Sequence, residues 1–390
     1  MIADSSGKAA VTSGSCEGGR EDGAIRVTRH EQPSLDSLKA LWSSLPGGAL
    51  HTPFQSPGFV DAFQRHVAPA AGARSWILSA SMPDTHELGA LLPVIAYQRG
   101  PVSVLTMPDL GLADQNGPVL SRELAARPHL AKRLCDALVA ALGTADLVDV
   151  QKIGPLIGEV DNPLFHLAST VEAGGILVFE AEDLATIETR FGKSVYKEAR
   201  TKFRKLQQAG VNLVEVKEPA ERLANLGMLL RQRADRFASL GREDSLQDEG
   251  RVAFYRALAA SHDPDNPLKI LALKKEQEVV ATVALMAHGD IANGVLVSMG
   301  DPSWRRLSPG TVLLVQSILW ARDRGIRSFS FGTGLQAYKQ RFGAVQRPCR
   351  RLLLPTSLKG NAFVKALRAK QAARAILETI QKTGQAPRAS

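Results

Sequence analysis

Short apolar segments alternate with longer amphipathic ones along the chain, which is the pattern of a mixed α/β protein. Three apolar runs of strand length lie between residues 75 and 107, and three more between residues 269 and 299. Polar turns as short as Lys275-Glu276-Gln277 join antiparallel neighbours. The pattern therefore predicts an antiparallel meander in each half of the chain.

The two halves show the same order of elements. In each, the meander is followed by a loop, a helix and a further strand, with the helices predicted at Arg122 to Leu142 and at Pro309 to Arg324. The meanders also end alike, in the sequences VLTMPD (Val104 to Asp109) and LVSMGD (Leu296 to Asp301). We therefore predict a tandem repeat of one α/β (α+β) domain, each copy a mixed, mostly antiparallel sheet flanked by helices.

The predicted boundaries divide the 390 residues into four segments. Residues 1–23 are Ser/Gly-rich and lack the basic and apolar regions of a signal peptide, so we expect a disordered tail. Residues 24–170 form the N-terminal domain, and residues 171–356, which end in a strand at Arg350 to Leu354, form the C-terminal domain. Residues 357–390 are predicted to form a basic helix and tail.

The composition excludes several classes of protein. With 44% hydrophobic and 22% charged residues, the chain is a folded globular protein. No apolar run approaches the roughly 20 residues that span a bilayer. The three cysteines, Cys16, Cys135 and Cys349, lie far apart, which argues against a disulfide framework or a cysteine-rich zinc site. The eight histidines lack metal-ligand spacing, so we predict no metal, and we expect a cytoplasmic location.

The positive charge is unevenly distributed. Residues 190–205 carry seven Lys or Arg against Glu198 alone, and residues 324–377 carry twelve Lys or Arg and no acidic residue. Such a field concentrates anionic partners such as phosphates, nucleic acid or a membrane surface. For the C-terminal stretch, a solvated basic face is an equally good interpretation.

The start of the predicted helix at Pro309 has the chemistry of an anion site. Ser308 is a typical N-cap residue, a proline fits the first helical position, and the next two residues leave bare backbone N–H groups. Two arginines just upstream add full charges suited to a diphosphate. Ordinary helix capping is the alternative. The candidate ligand-binding residues are Arg305, Arg306, Ser308, Gly310 and Thr311.

A second candidate is the sequence Gly332-Thr333-Gly334, which follows the predicted strand Phe329 to Phe331. Neither glycine carries a Cβ, so the backbone can approach a ligand closely. The spacing to Ala337 formally matches a dinucleotide fingerprint. No acidic residue lies between Asp323 and Glu378 to bind a ribose, so we reject a nicotinamide or flavin site.

With these motifs in place, the second half resembles the GCN5-related N-acetyltransferase (GNAT) superfamily. It is most similar to the cellulose-biosynthesis CelD-type acetyltransferases, which are related to the FemAB peptidoglycan-bridge transferases. The resemblance covers about residues 190–355, and Ala113 to Pro118 is a faint echo of it in the first half. Three blocks carry the resemblance: Tyr196 to Leu206 with Gly210; Leu307 to Thr311 with Trp320-Ala321 and Gly325; and Phe329 to Gly334 with Tyr338-Lys339.

The resemblance implies a tandem GNAT-like fold that binds acetyl-CoA or another acyl-CoA as co-substrate. The acyl group would pass to a small-molecule or glycan-linked amine, in surface polysaccharide or envelope biosynthesis. By position, Arg305 to Thr311 would hold the pyrophosphate, and Tyr338 would protonate the leaving thiolate. The first half is expected to have a structural role and to form one wall of the acceptor cleft.

One position departs from the family pattern. Ser330 stands where the family commonly has an aspartate, which leaves the catalytic base open between Asp301 and a carboxylate of the loop Glu243 to Glu249. Ser330 and Lys339 are the candidate substrate-binding residues.

Two other functions fit the same sequence. The basic stretch Lys193 to Lys205 suits tRNA phosphates, as in an aminoacyl-tRNA-dependent FemAB-like transferase, although no long helical hairpin is inserted between the repeats. Alternatively, Leu358 to Thr383 is a basic amphipathic helix that holds a catalytically degenerate scaffold on the inner, anionic face of a membrane. The apolar residues of that helix are Phe363, Leu367, Ile376 and Leu377.

Overall fold

A computed structural model describes residues 24–143, 145–168, 170–171, 175–180, 186–187, 193–334 and 336–384. The tail predicted for residues 1–23 lies outside the described residues. The chain forms two mixed β-sheets flanked by helices, as predicted.

The first sheet has an antiparallel meander at one side and strands from distant parts of the chain at the other. Its strands, in spatial order, are β1 (Val27–Glu31), β3 (Arg74–Ser81), β4 (Leu88–Arg99), β5 (Val102–Thr106), β7 (Leu147–Ile153), β18 (Arg350–Pro355) and β10 (Thr170–Val171). The short strands β2 (Ala49–Leu50) and β6 (Val119–Ser121) continue it beside β4, and β8 (Leu156–Ile157) and β9 (Val160–Asp161) form a separate hairpin.

The second sheet repeats this arrangement. Its strands, in spatial order, are β12 (Asn212–Val216), β13 (Leu268–Lys275), β14 (Glu278–His288), β15 (Ile291–Met299), β16 (Ser328–Thr333), β11 (Ile176–Phe179) and β17 (Val345–Arg347). The predicted meander is confirmed, because β13, β14 and β15 pair antiparallel in sequence order.

The helices cover the faces of both sheets. They are α1 (Leu35–Ser43), α2 (Pro57–Ala62), α3 (Ala68–Ala70), α4 (Pro128–Ala140), α5 (Pro163–Leu167), α6 (Lys193–Gln208), α7 (Pro219–Ser239), α8 (Glu249–Ala260), α9 (Pro309–Asp323), α10 (Ala337–Gln340) and α11 (Leu358–Gly384).

The helix predicted from Arg122 to Leu142 is wrong in its first turn. Residues Arg122–Ala126 form a 3₁₀ turn, and α4 begins only at Pro128. A proline disfavours the helical conformation of the residue before it, and Arg127 accordingly has φ −129° and ψ 58°. The proline then serves as the first residue of α4, where its missing N–H costs nothing.

In each sheet the last meander strand pairs in parallel with the strand that follows the crossover helix, and the pairing is short. Strand β5 pairs with β7 only at Val104 and Leu105 among the described residues. Strand β15 pairs with β16 only over residues 291–293 of the described chain. Beyond these pairs the strands diverge, so each half contains a V-shaped opening in its sheet.

The opening in the first half is filled by the chain itself. The backbone N–H of Asn116 donates to the carbonyl of Lys152, in β7, at 2.9 Å. The Lys152 Nζ atom donates to Asp109 Oδ1 at 2.9 Å and to the carbonyl of Ala113 at 2.6 Å. These contacts fix the loop that follows β5 across the gap. The sequence-equivalent Asp301 in the second half makes no such bridge, because its side chain caps a 3₁₀ turn.

One strand of the second half joins the first sheet. Strand β18, near the C-terminus, lies in the first sheet between β7 and β10, whereas β11 lies in the sheet of its own half, between β16 and β17. The strand predicted at Arg350 to Leu354 therefore completes the first sheet, although it ends the segment predicted as the C-terminal domain. This crossing of β18 ties the two halves to each other.

A buried ion pair holds β18 in the first sheet. Both carboxylate oxygens of Asp149, on β7, accept hydrogen bonds from the Arg351 guanidinium at 2.6 Å. Arg99, on β4, approaches the same carboxylate at 3.7 Å. The Asp149 side chain is only 2% exposed, so its charge depends on these partners.

The halves also share one hydrophobic core. Phe54, Phe59 and Leu112 of the first half pack in one cluster with Phe254 and Met286 of the second. Burial of this apolar surface from both halves favours a fixed relative position of the two sheets.

The beginning of the C-terminal helix α11 packs on the first sheet. Val364 is buried against Val102 and Leu147, and Phe363 lies beside them under the guanidinium of Arg99. Phe363 is therefore not available for lipid contact as the amphipathic prediction required. In the described part of the chain, no helix is both long and apolar enough to cross a membrane.

We predict that Asp149→Ala lowers the free energy of unfolding by about 3–5 kcal/mol, because it leaves buried arginine charge unpaired. Urea denaturation measures the loss. The control is Asp136→Ala, which removes an exposed i,i+4 partner of Lys132 and should cost about 0.3–0.5 kcal/mol. Equal losses in the two variants would show that β18 is not held by this pair.

Candidate functional site

The amino end of α9 is open. Ser308 is the N-cap residue by position, since its carbonyl accepts from Val312 N at 3.1 Å, but its side chain makes no capping hydrogen bond. Its backbone is left-handed, with φ 47° and ψ 55°. No group among the described residues accepts from the N–H of Gly310 or Thr311. The capping role expected for the Ser308 side chain is therefore wrong.

A lysine of the basic helix α6 forms a hydrogen bond with the Ser308 hydroxyl. Lys202 Nζ donates to Ser308 Oγ at 2.8 Å and to Glu198 Oε1 at 2.6 Å. An ammonium group is thereby fixed at the positive end of the α9 dipole. Two positive features stand together at this point, and although Glu198 pairs with the ammonium, both features would stabilise an anion that binds there.

Gly310 is needed for packing as well as for an open helix start. A Cβ added to it would lie 2.8 Å from the sulfur of Met299, the last residue of β15. The α9 amino end therefore rests directly on the end of β15 and beside the opening between β15 and β16. Pro309 and Gly310 are both buried, while Thr311 is partly exposed.

The other predicted phosphate ligands lie in the 3₁₀ turn Pro302–Leu307 that precedes α9. Arg305 and Arg306 are both exposed there, and the turn contacts α6. Asp301 caps this turn, with its carboxylate accepting from Ser303 N at 2.6 Å, and those hydrogen bonds lower its pKa. A carboxylate with a lowered pKa is a weaker proton acceptor, so its environment suits a cap better than a base.

The outer face of α6 is uniformly positive. Lys197, Arg200 and Arg204 are exposed, whereas Val195 and Ala199 on the other face are buried in the core of the second half. The one acidic side chain of this helix is already bound by Lys202. The stripe adds to the positive field around the α9 amino end.

The glycine turn after β16 forms the other wall of the opening. Gly332 has φ 74° and Gly334 has φ 89°, backbone conformations that residues with a side chain rarely adopt. Ser330 is buried, and its Oγ accepts from Gly332 N at 3.0 Å. The geometry gives Ser330 a turn-stabilising contact, and its role in substrate binding stays a prediction.

A carboxylate from the first half reaches this turn. Asp114 Oδ1 accepts from Thr333 Oγ1 at 3.0 Å and from Thr333 N at 3.3 Å. A Cβ on Gly332 would lie 2.5 Å from Asp114 Oδ2, so only glycine allows this approach. Asp114 thus places a carboxylate beside Ser330, the position where the second half has none of its own.

Tyr338 and Lys339 occupy different environments on α10. Lys339 is buried, its Nζ donates to the carbonyl of Thr333 at 2.8 Å, and burial lowers its pKa. Tyr338 is 50% exposed, and partial burial raises its pKa while the charge of Arg236 opposes the rise. A tyrosine with a raised pKa keeps its proton at neutral pH, which suits a proton donor.

Asn293 lies where β15 and β16 begin to diverge. It is fully buried and pairs in register with Ser330, yet among the described residues its amide oxygen and nitrogen have no partner. Burying an amide without hydrogen bonds is costly, so a ligand or a water molecule would satisfy it.

The acidic loop between α7 and α8 is already engaged. Asp244 Oδ1 accepts from Arg233 at 3.0 Å and from Leu246 N at 3.1 Å. Asp248 accepts from Arg251 N at 3.0 Å and caps α8. These two carboxylates stabilise local structure, which weakens the loop as a source of the base.

The described residues contain no group of three or more His, Cys, Asp or Glu side chains that could hold a metal ion.

Three residues of the site escaped the sequence analysis, namely Lys202, Asp114 and Asn293. Lys202 lies in a block whose charge was recognised, and Asp114 lies in the faint echo of the family pattern in the first half. Neither signal shows which side chain reaches the opening, because both contacts join distant segments. Asn293 sits inside a correctly predicted strand and carries no local signal.

We predict that Gly332→Ala destabilises the protein more than Gly325→Ala, which has the same left-handed backbone (φ 69°) and open space around its Cβ. The control should cost about 1 kcal/mol for its conformation, and Gly332→Ala about 1–3 kcal/mol because the methyl also displaces Asp114. Removing that carboxylate in the double variant with Asp114→Ala should recover part of the cost. Additive losses in urea denaturation would contradict the contact.

Comparisons with known proteins agree with this geometry. Residues 193–340 match the family model described as an acetyltransferase (GNAT) domain. The structure of FemX is similar at a TM-score of 0.55 and 11% identity, covering 84% of this chain and 98% of FemX. The low identity means that this likeness shows the fold alone.

Two further solved structures are similar. L-PGS from Bacillus licheniformis matches at a TM-score of 0.46 and 17% identity, over 79% of this chain and 95% of that one. A tandem GNAT protein from the clavulanic acid biosynthesis pathway matches at 0.42 and 10% identity, over 86% and 99%. No curated protein matches the chain. Over residues 193–340, the chain is therefore similar to the acetyltransferase (GNAT) domain family.

Proposed function

We propose that the protein is an acyl-CoA-dependent N-acyltransferase. The observation that carries the proposal is the open amino end of α9, where the N–H groups of Gly310 and Thr311 stand free beside the ammonium of Lys202. A diphosphate requires several convergent N–H donors and nearby positive charge. Arg305 and Arg306 supply further charge from the preceding turn.

The opening in the second sheet suits the arm of the coenzyme. Among the described residues, β15 has no pairing with β16 from Gly294 to Met299, which leaves that edge of its backbone for a ligand. Pantetheine is an extended chain with two amide groups, and such a chain can pair with a free strand edge. A coenzyme with its phosphates at Thr311 then reaches the Gly332 turn with its thioester.

The residues at that turn match the needs of acyl transfer. The amine nitrogen forms a bond to the acyl carbon while the carbon–sulfur bond breaks; the amine loses one proton and the sulfur gains one. Tyr338 is the proposed proton donor to sulfur. Asp114 is the proposed group that orients the amine and accepts its proton, in place of the aspartate that Ser330 replaces.

The biological setting follows from the family resemblance. A CelD-type role in surface polysaccharide or envelope biosynthesis would make the acceptor an amine on a small molecule or a glycan. The Asp114 contact supports an acceptor cleft between the halves, with the first half as one wall.

A second candidate is transfer from aminoacyl-tRNA. The exposed stripe Lys197, Arg200 and Arg204 favours it, because a row of cations suits a phosphate backbone and the one acidic residue of the helix, Glu198, is paired with Lys202. Neutralising this stripe should abolish tRNA binding under that mechanism and leave acetyl-CoA binding nearly unchanged under ours.

We predict that the protein binds acetyl-CoA with a micromolar Kd in isothermal titration. Lys202→Ala and the double variant Arg305→Ala/Arg306→Ala should each weaken binding about tenfold or more, since each removes charge near a phosphate. Thr311→Asp should abolish binding by placing an anion at the α9 amino end. Position 310 is unsuitable for this test, because any side chain there meets Met299.

The control for these variants is Lys217→Ala, an exposed cation that follows β12 at the opposite end of the sheet. It should bind acetyl-CoA like the unmodified protein. No binding of any acyl-CoA would refute the donor assignment and favour tRNA.

Tyr338→Phe should retain acetyl-CoA affinity but lower the rate of thiol release about 10²–10⁴-fold, because only the proton donor is removed. Thiol release in the presence of a panel of amines measures it. Tyr97→Phe, a partly buried tyrosine of the first sheet, is the control. An unchanged rate in Tyr338→Phe would mean that this tyrosine is a packing residue.

A further inference from the structure

Arg251 reaches from α8 to the loop that carries Asp114. Its Nη2 donates to the carbonyl of Leu110 at 2.7 Å. A Cβ added to Gly111 would lie 3.4 Å from Nη1, so the guanidinium covers the backbone at that glycine. The arginine thus lies against the first-half loop that carries Asp114.

The charge of Arg251 is not neutralised. It is partly buried, and among the described residues no carboxylate forms an ion pair with it. Its neighbour Arg233 pairs with Asp244 at 3.0 Å. A guanidinium has five N–H donors, and the bond to Leu110 uses one of them. The remaining donors are free for a ligand.

An arginine without an ion-pair partner is unusual at the position that Arg251 occupies on its helix. It lies in the first turn of α8, where the helix dipole is positive and disfavours a cation. Asp248 caps this turn, but its carboxylate accepts from the backbone N–H of Arg251. By contrast, Arg222 caps the other end of α8 through the carbonyls of Ala259 and Ser261, where a cation is favoured. The same turn also carries the acidic Glu249, so the guanidinium without an ion-pair partner, rather than the helix dipole, is the feature that an anionic ligand would satisfy.

The geometry connects Arg251 to the reacting groups. Tyr255, one turn further along α8, is buried between the two charges: burial raises its pKa, Asp114 raises it further, and Arg251 opposes the rise. Asp114 follows Leu110 by four residues. Hydrogen bonds from Gly111 N and Ala113 N to Asp109 Oδ1 hold the intervening loop. The spacing between the cation and the carboxylate is therefore fixed.

We propose that the acceptor is an amine that also carries an anionic group, a carboxylate or a phosphate, and that Arg251 binds this anion. Binding there directs the amine toward Asp114. Arg236, exposed on α7 and close enough to act on Tyr338, provides a second cation at the mouth of the cleft. This inference deepens the proposed function by naming the acceptor class, and it rests on that function for the role of the cleft.

The test measures acceptor binding without any acyl donor. Isothermal titration compares three pairs of amines that differ in an anion: phosphoethanolamine with ethanolamine, glucosamine 6-phosphate with glucosamine, and lysine with lysinamide. The variants are Arg251→Gln, which removes the charge, and Arg251→Lys, which keeps it. Arg256→Gln is the matched control, an exposed arginine on the same helix. Thermal unfolding confirms that each variant is folded.

We expect the charged member of at least one pair to bind tenfold or more tightly than its neutral partner. Arg251→Gln should abolish that preference, Arg251→Lys should keep part of it, and Arg256→Gln should keep all of it. A preference for phosphate over carboxylate, or the reverse, identifies the anion. Equal binding of charged and neutral members, no binding of any charged member, or a preference that survives in Arg251→Gln would overturn the proposal.

The outcome is separable from that of the donor assignment. Failure of acetyl-CoA to bind would refute the acyl-CoA donor while leaving the anion preference intact. Loss of the anion preference with normal acetyl-CoA binding would refute the acceptor class alone.

Discussion

The unpaired backbone donors at the amino end of α9 are the constraint around which the second half is arranged. Helix ends must find partners for their first N–H groups, and a serine side chain at the N-cap is the usual solution. Here the Ser308 backbone is left-handed and its hydroxyl accepts a hydrogen bond from Lys202. The Ser308 side chain therefore does not cap the helix. Under the proposed function these donors bind a ligand, and the charges of the neighbouring turn favour an anion.

This arrangement works only if the sheet opens at the same place. Gly310 brings α9 onto the end of β15, and β16 leaves β15 after three paired residues. The anion site and the free strand edge therefore form one continuous surface. In the first half the equivalent gap is bridged by Asn116, Lys152 and Asp109. The gap of the first half is therefore closed to a ligand chain, whereas that of the second half is open.

The crossing of β18 into the first sheet helps to hold the first half beside the site. The buried pair between Asp149 and Arg351 and the shared core fix the sheets relative to each other. Asp114 can therefore reach across to the Gly332 turn with definite geometry. A carboxylate that a single GNAT-like half lacks is provided by its neighbour, on a loop that also receives Arg251.

Local sequence pattern predicted the elements well, because alternation and short turns are local properties. The three apolar runs predicted between residues 269 and 299 are β13, β14 and β15, and the start of α9 at Pro309 followed from its turn chemistry. The meander order followed from turn length alone. The phosphate and thioester regions that the resemblance implies in the second half stay predictions.

Contacts between distant segments could not be predicted this way. Lys202 and Ser308 are 106 residues apart, and Asp114 and Thr333 are 219 apart. Nothing in the apolar strand at residue 350 tells which sheet it joins, since that depends on the competing edges of the folded halves. For the same reason, Ser308 satisfied every local rule for a cap while its hydroxyl was bound by another helix.

Hydrogen–deuterium exchange with and without acetyl-CoA tests the central claim most directly. The account predicts slower exchange on binding in two places, the start of α9 at residues 310–312 and the free edge of β15 at residues 294–299. The corresponding part of the first half, around Leu105 and Asn116, should be unchanged. Protection confined to the first half, or no protection at the α9 amino end in a protein saturated with acetyl-CoA, would contradict it.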